Sequence, residues 1–177
     1  RVASERGRKV RLVAKGLEQV PDDYLKAVQD VAIQLVRNAV VHGIEDASIR
    51  RDLGKDETGV LSLAFRRYET TFELQFEDDG AGIVADQVKE TAVRRGLIGA
   101  EQAQSLDVRQ SLGLIFKAGF STHDGEDRDA GRGVGLDVVR RVVKDLGGKV
   151  AVATAPGKFT RFRIVLPATV ARQDAVA

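Results

Sequence analysis

Three polar groups in the sequence have the residue types and spacing for chemistry. Gln34, Asn38 and His42 lie four apart and would share one face of a helix. A neutral amide oxygen such as that of Asn38 suits a hard cation like Mg²⁺, which takes oxygen ligands and keeps water and phosphate around it. The same spacing also describes an ordinary solvated helix face. The second group is Glu77-Asp78-Asp79-Gly80-Ala81-Gly82. Asp78 falls at a strand end, where a carboxylate can accept a hydrogen bond from an exocyclic amine such as that of adenine. Gly80 and Gly82 would let the backbone approach a ligand closely. The third is Gly131-Arg132-Gly133-Val134-Gly135, just before a helix. Its freed N–H groups and the helix N-terminus suit phosphate, and Arg132 adds a charged fork. No Gly-Lys-Ser/Thr follows, so this is not a Walker A loop. The preceding segment is polar rather than a strand, so it is not a Rossmann fingerprint. Each glycine motif alone arises by chance in roughly one such chain in six to ten, but the pair together in only about 2%.

These groups need elements to hold them. Val10 to Lys15 reads as a strand. A helix is expected from Asp22 to about His42, with a core stripe of Leu25, Val28, Ala32, Leu35, Val36 and Ala39, ended by Gly43. Ser48 to Gly59 is polar and reads as a loop. Leu61, Leu63 and Phe65, then Phe72, Leu74 and Phe76, alternate as an antiparallel hairpin. Asp86 to Arg95 reads as a short helix, and Glu101 to Phe116 contains another. Ser121 to Arg132, with Ala130 as its one apolar residue, reads as a mobile loop. Leu136 to Leu146 is an amphipathic helix. Val150/Val152 and Phe162/Ile164/Leu166 form the last two strands about Pro156-Gly157. Strands that cluster in antiparallel pairs predict an α+β two-layer sandwich, a mixed and mostly antiparallel sheet on one side and helices on the other.

Composition narrows the function. The 177 residues include no cysteine and two histidines, which excludes disulfides, Cys-ligated zinc, iron–sulfur clusters and a His-rich metal site. Lys and Arg number 28 against 26 Asp and Glu, with the signs interspersed. The basic stripe and reading motif of a dedicated nucleic-acid binder are missing. The apolar runs are too short to cross a bilayer. The start, Arg1-Val2-Ala3, has no Met and no signal-peptide pattern, and the chain reads as a domain of a longer protein.

Leu35 to Glu45, with its Arg37-Asn38 and His42-Gly43-Ile44-Glu45, resembles the N box of chemotaxis-type (CheA-like) histidine kinases. Asp78 to Ile83 is similar to their G1 box, Ile115 to Thr122 to their F box, and Gly131 to Val139 to their G2 box. Ala155 to Phe162 sits where a last glycine–threonine turn is expected. The resemblance implies the Bergerat ATP-binding sandwich of the GHKL superfamily over residues 1–170, with 171–177 as a tail or linker. It implies ATP and Mg²⁺ as cofactors and transfer of the γ-phosphoryl group to a histidine. Asn38 would hold Mg²⁺, Asp78 would read the adenine amine, and Gly80, Gly82 and Ile83 would line the base pocket. Arg37 and His42 would lie near ribose and phosphates. Gly131, Arg132, Gly133, Val134 and Gly135 would cradle phosphates. Ser121 and Thr122 would hinge an ATP lid, and Thr160 would support the adenine pocket. The implied partners are a separate histidine phosphoacceptor (HPt-like) domain, a response regulator reached through the relay, and the dimerisation and coupling domains of a parent chain. The implied place is the cytoplasm, without membrane insertion or nucleic acid.

Three positions depart from the pattern. Gln34 replaces a histidine one turn before Asn38, and glutamine cannot take a proton. Phe159 replaces a glycine, so the pocket floor is expected to pack differently. Val84 replaces an aspartate after the G1 box. These departures motivate an alternative, a catalytically silent nucleotide-sensing module. A GHKL hydrolase of the gyrase or mismatch-repair type would need a carboxylate base at the position of Gln34.

Overall fold

The computed structural model describes residues 8–120 and 135–168. Its five strands are β1 (Lys9–Lys15), β2 (Thr58–Arg67), β3 (Thr71–Asp78), β4 (Lys149–Ala155) and β5 (Phe159–Pro167). They form one sheet in the order β1-β2-β3-β5-β4. The β1–β2 pair is parallel and the other pairs are antiparallel. The expected mixed, mostly antiparallel sheet is therefore present.

Alternation along the strands decides the two faces. Leu61, Leu63 and Phe65, Phe72, Leu74 and Phe76, and Phe162, Ile164 and Leu166 are all buried. They pack on α1 (Asp22–Asn38) and α6 (Leu136–Asp145) through Tyr24, Val28, Val31, Leu35, Val139 and Val143. The opposite face is polar. There the Glu73 carboxylate sits between Arg66 and Arg163, and Arg161 pairs with Glu77.

The long helix departs from its expected stripe at its start. Leu25 is 53% exposed, whereas Tyr24 is 1% exposed. The stripe phase is set by Val28, Val31 and Leu35, and Tyr24 lies one turn before Val28 on that line. Its ring meets Phe72 edge-on at 5.4 Å, and its hydroxyl donates to the Pro167 carbonyl at 2.6 Å. The helix also changes pitch. Ala39–Gly43 forms a π turn, closed by the Ile44 N–H on the Ala39 carbonyl at 2.7 Å.

Two other regions differ from expectation. Within Ser48 to Gly59, read as a loop, lies most of a short helix, α2 (Ala47–Asp52), followed by the start of β2. The region Glu101 to Phe116 is two helices, α4 (Ala100–Ser105) and α5 (Val108–Gly113), and a 3₁₀ turn at Leu114–Phe116. The break comes from Asp107, whose side chain accepts from the Gln110 N–H in a capping box. The expected helix after the G1-like turn is α3 (Ala85–Arg94). The loop expected at Ser121 to Arg132 and the tail expected at 171–177 lie outside the described residues.

Candidate functional site

A cavity of about 410 Å³ opens between the end of α1, the end of β3, α3, the start of α6 and β5. That volume falls in the range of small-molecule sites. Asn38, Ala39, His42 and Gly43 form one side, and Asp78, Thr160 and Phe162 come from the sheet. Gly82, Ile83 and Val84 follow from the turn after β3, and Leu136 from the start of α6.

Asp78 is the buried acid of this cavity. It ends β3, is 2% exposed and lies opposite Thr160 in the register with β5. Burial pushes its carboxyl up to about 6, against the Gly80 N–H that donates to Oδ1 at 3.1 Å. The nearby charges of Asp79, Glu45 and Glu77 push in the same direction as burial. Room for the carboxylate comes from Gly43. A Cβ there would sit 3.2 Å from Oδ1.

The glycines after Asp78 have a different use from the expected one. A Cβ on Gly80 would lie 2.1 Å from the Gly43 carbonyl oxygen. Gly82 has φ +69°, and a Cβ on it would lie 2.5 Å from the Ala155 carbonyl oxygen. The close approach is therefore to the protein's own backbone. The Ala81 N–H bonds the Gly43 carbonyl at 2.8 Å, and the Gly157 N–H bonds the Ala81 carbonyl at 2.7 Å. Thr154 completes the seam: its Oγ accepts from the Ile83 N–H and donates to the Phe159 carbonyl, both at 2.8 Å. The turn is wedged between the π turn and the β4–β5 hairpin. Gly82 lines the cavity and Gly80 does not.

The three polar residues expected on one helix face separate. Asn38 and His42 reach the cavity, Gln34 is buried at 5% exposure without lining it, and Arg37 is exposed and also does not line it. They do not form one solvated face. Gln34 faces inward beside Leu35, and the π turn widens the helix between Asn38 and His42. The Asn38 Nδ2 atom is buried and has no hydrogen-bond partner among the described residues.

Phe159 lies away from the cavity. On β5 it faces outward with Arg161, whose guanidinium stands 5.1 Å from the ring centroid, while Thr160 and Phe162 face inward. The expectation that it would reshape the pocket floor is corrected by this alternation. Val84 precedes α3 in extended conformation and supplies no side-chain cap. Val84→Asp should therefore stabilise the chain by about 1 kcal/mol, a melting-temperature rise of about 2–4 °C in a thermal scan.

Of the remaining expected residues, Gly135 is the extended N-cap of α6. Ser121, Thr122, Gly131, Arg132, Gly133 and Val134 lie outside the described residues. Sequence reasoning missed the cavity wall formed by Gln87 and Thr91 of α3 and by Arg95 at its C-cap. Their i, i+4 spacing beside the buried Val88 and Ala92 was the available signal.

Residues 25–170 match the family model of histidine kinase-, DNA gyrase B- and HSP90-like ATPases. The chain belongs to this ATPase family. Within it the chain is CheA-like. It is 39% identical over 171 residues to the chemotaxis protein CheA of Halobacterium salinarum, covering 96% of the chain and 26% of that protein. It is 40% identical over 176 residues to CheA of Cereibacter sphaeroides, covering 98% of the chain and 25% of that protein. A gliding motility regulatory protein of Myxococcus xanthus is 37% identical over 93% of the chain and 21% of its own length. The chain thus spans about a quarter of the length of these relatives. Among solved structures, full-length ShkA in complex with AMPPNP is similar with a TM-score of 0.53 at 19% identity, covering 94% of the chain and 27% of that chain. The histidine kinase domain of the Erythrobacter litoralis blue-light activated histidine kinase has a TM-score of 0.52 at 17% identity, covering 94% of the chain and 59% of that chain. Both share the fold. No helix among the described residues of this ATPase-family chain is long and apolar enough to cross a membrane.

Proposed function

We propose that the chain binds Mg·ATP in this cavity and donates the γ-phosphoryl group to a histidine on a separate phosphoacceptor domain, in chemotaxis-like signalling in the cytoplasm. The observation that carries the reading is Asp78, a carboxylate buried at the cavity, with Thr160 beside it on the next strand. Ionised, Asp78 accepts from the adenine amine through the oxygen that the Gly80 N–H leaves free. Thr160 supports that edge with its hydroxyl. Gly82 and Ile83 form the side of the base pocket, and His42 stands towards the ribose and phosphates.

The donor set fits a cation that arrives on phosphate. Among the described residues no cluster of three or more His, Asp or Glu could hold a metal. The orphaned amide of Asn38 is a polar group lacking a partner at the cavity, and rotation of the amide offers Oδ1 instead of Nδ2. Mg²⁺ held there would neutralise charge on the triphosphate. Transfer then rests on positioning and charge neutralisation. The response regulator and the dimerisation and coupling domains belong to the same reading; the relatives named CheA are long enough to carry further domains beyond the matched quarter.

The second reading, a nucleotide-sensing module without transfer, is favoured by the buried, non-titrating Gln34 one turn before Asn38. A calorimetric titration with a non-hydrolysable ATP analogue tests what the two readings share. Saturable binding that tightens with Mg²⁺ is the expected outcome. Absence of binding up to millimolar nucleotide, by a chain shown to be folded, would overturn both. Labelled phosphate moving from γ-labelled ATP to an added acceptor domain then separates them.

A further inference from the structure

Around the turn that follows Asp78 lies a buried ion cluster that the reading above does not use. Arg50, on α2, is 1% exposed. Its Nη1 donates to Glu45 Oε2 at 3.0 Å and to the Asp79 carbonyl at 3.2 Å. Its Nη2 donates to Asp79 Oδ2 at 2.9 Å, and its Nε to the Asp56 carbonyl at 2.6 Å. Lys55 Nζ donates to Glu45 Oε1 at 2.6 Å and to the carbonyls of Asp79 and Gly80 at 3.1 and 2.9 Å. The second oxygen of Asp79 accepts the Val60 N–H at 2.8 Å. Two cations thus hold the turn that begins one residue after Asp78, and neither lines the cavity.

We propose that Arg50 and Lys55 are positioning residues for Asp78. They fix the Asp79–Gly80 turn that orients its carboxylate, and they neutralise the carboxylates of Asp79 and Glu45. The proposal deepens, and rests on, the reading of Asp78 as the adenine-recognising group. Fixing the turn alone needs only hydrogen-bond donors. The charge of both cations matters because of what surrounds Asp78. Glu77 and Asp79 flank it in the chain, and Glu45 reaches it from the segment after the π turn. Against these stand Arg161 of β5 on Glu77, Arg50 of α2 on Asp79 and Glu45, and Lys55 on Glu45. His42 stands on the cavity wall. Burial by itself would push Glu45 up, yet its hydrogen bonds with Lys55, a backbone N–H and Arg50, together with the Lys55 charge, outweigh it and lower Glu45 from its ordinary value. Glu45 therefore stays charged at neutral pH. Any loss of its partners exposes Asp78 to more negative field.

The prediction has a sign that simple damage to the fold does not share. Arg50→Gln keeps donors near the turn but leaves Glu45 and Asp79 less compensated, so Asp78 should hold its proton to higher pH. Glu45→Gln removes a negative charge and keeps both cations, so Asp78 should lose its proton at lower pH. The carboxyl ¹³C resonance of Asp78, assigned by its absence in Asp78→Asn, reads this directly in the 177-residue chain. The titration midpoint should move up by about one pH unit in Arg50→Gln and down in Glu45→Gln. The pH at which binding of the ATP analogue is half lost should move in the same two directions. If Arg50→Gln does not fold, Lys55→Gln supplies the upward shift, since that amine is partly exposed at 19%. Midpoints that stay fixed in folded variants, or that move in one common direction, would overturn the proposal. If the unaltered chain binds no nucleotide, the functional reading fails, and the carbon titration still decides the role of Arg50 and Lys55.

Discussion

Asp78→Asn should make the chain more stable at neutral pH while removing most of its affinity for nucleotide. Asparagine keeps the shape of the side chain and can still accept the Gly80 N–H. It cannot ionise. The carboxyl of Asp78 rises from 3.8 to about 6 on folding, mainly through burial. Between these values the folded chain binds more protons than the unfolded one, so stability falls as pH rises. The stability is fully present below the unfolded value and is lost as pH climbs through the folded value. At 1.36 kcal/mol per unit, the loss reaches roughly 3 kcal/mol by pH 7. Asparagine escapes it. Urea unfolding should show Asp78→Asn ahead by about 2–3 kcal/mol at pH 7 and level with the unaltered chain near pH 4. Binding should move the other way. With one oxygen on the Gly80 N–H, the second position of asparagine is an NH₂ donor that meets the adenine amine, also a donor. A site built to complete a hydrogen bond rejects such a mismatch strongly, and affinity should fall at least about 100-fold. The pH profile supplies a second reading. Affinity of the unaltered chain should fall as pH drops through about 6, where Asp78 takes up its proton. The residual affinity of Asp78→Asn should be flat over the same range. An Asp78→Asn chain that binds as tightly as the original would remove Asp78 from the adenine site.

The parts of this site that could be read from the sequence are those whose signal is periodic. Strict alternation through Leu61, Leu63 and Phe65 and through Phe72, Leu74 and Phe76 placed Asp78 at a strand end. Helical spacing from Val28 to Ala39 puts Asn38 on the long helix, while the change to a π turn just after it has no periodic signal. What could not be read was held by pairing instead of period. Arg50 carries the chemistry of a surface residue, and a polar stretch around it predicts a loop. Its burial is made possible by Glu45, Asp79 and two carbonyls, none of them its near neighbours on a helix face. The expected stripe puts Leu25 inside because two phases of a 3.6 repeat fit the same apolar residues. The choice between them belongs to Tyr24, whose hydroxyl finds Pro167 at the far end of the chain. The split at Asp107 had a legible sign, since Asp107 and Gln110 stand in capping-box register. Gly80 and Gly82 are close-approach positions, but not toward a ligand as the sequence suggests. Their neighbour proved to be backbone, because the turn must fit between Gly43 and Ala155 before any ligand arrives.

Asn38→Ala tests the other end of the proposed nucleotide. Its Nδ2 is buried and unpartnered among the described residues. A buried amide donor left unsatisfied costs about 1–3 kcal/mol, so alanine gives up little stability and relieves that penalty. Alanine is also the better helix former at the end of α1. The melting temperature should therefore hold or rise. Phosphoryl transfer should not survive the change. With no metal-holding cluster elsewhere among the described residues, the Asn38 oxygen is the one protein ligand the reading assigns to Mg²⁺. Loss of a single preorganised electrostatic contact at a reacting group typically lowers turnover by about 10²–10³-fold. Transfer from γ-labelled ATP to a separate acceptor domain should fall by that factor. The help that Mg²⁺ gives to binding of the ATP analogue should vanish, while binding measured without Mg²⁺ should change little. That last comparison isolates the role, because a general collapse of the cavity would weaken binding with and without the cation alike. Unchanged transfer would leave the orphaned amide of Asn38 without a function, and the cation would then have to be held by other residues.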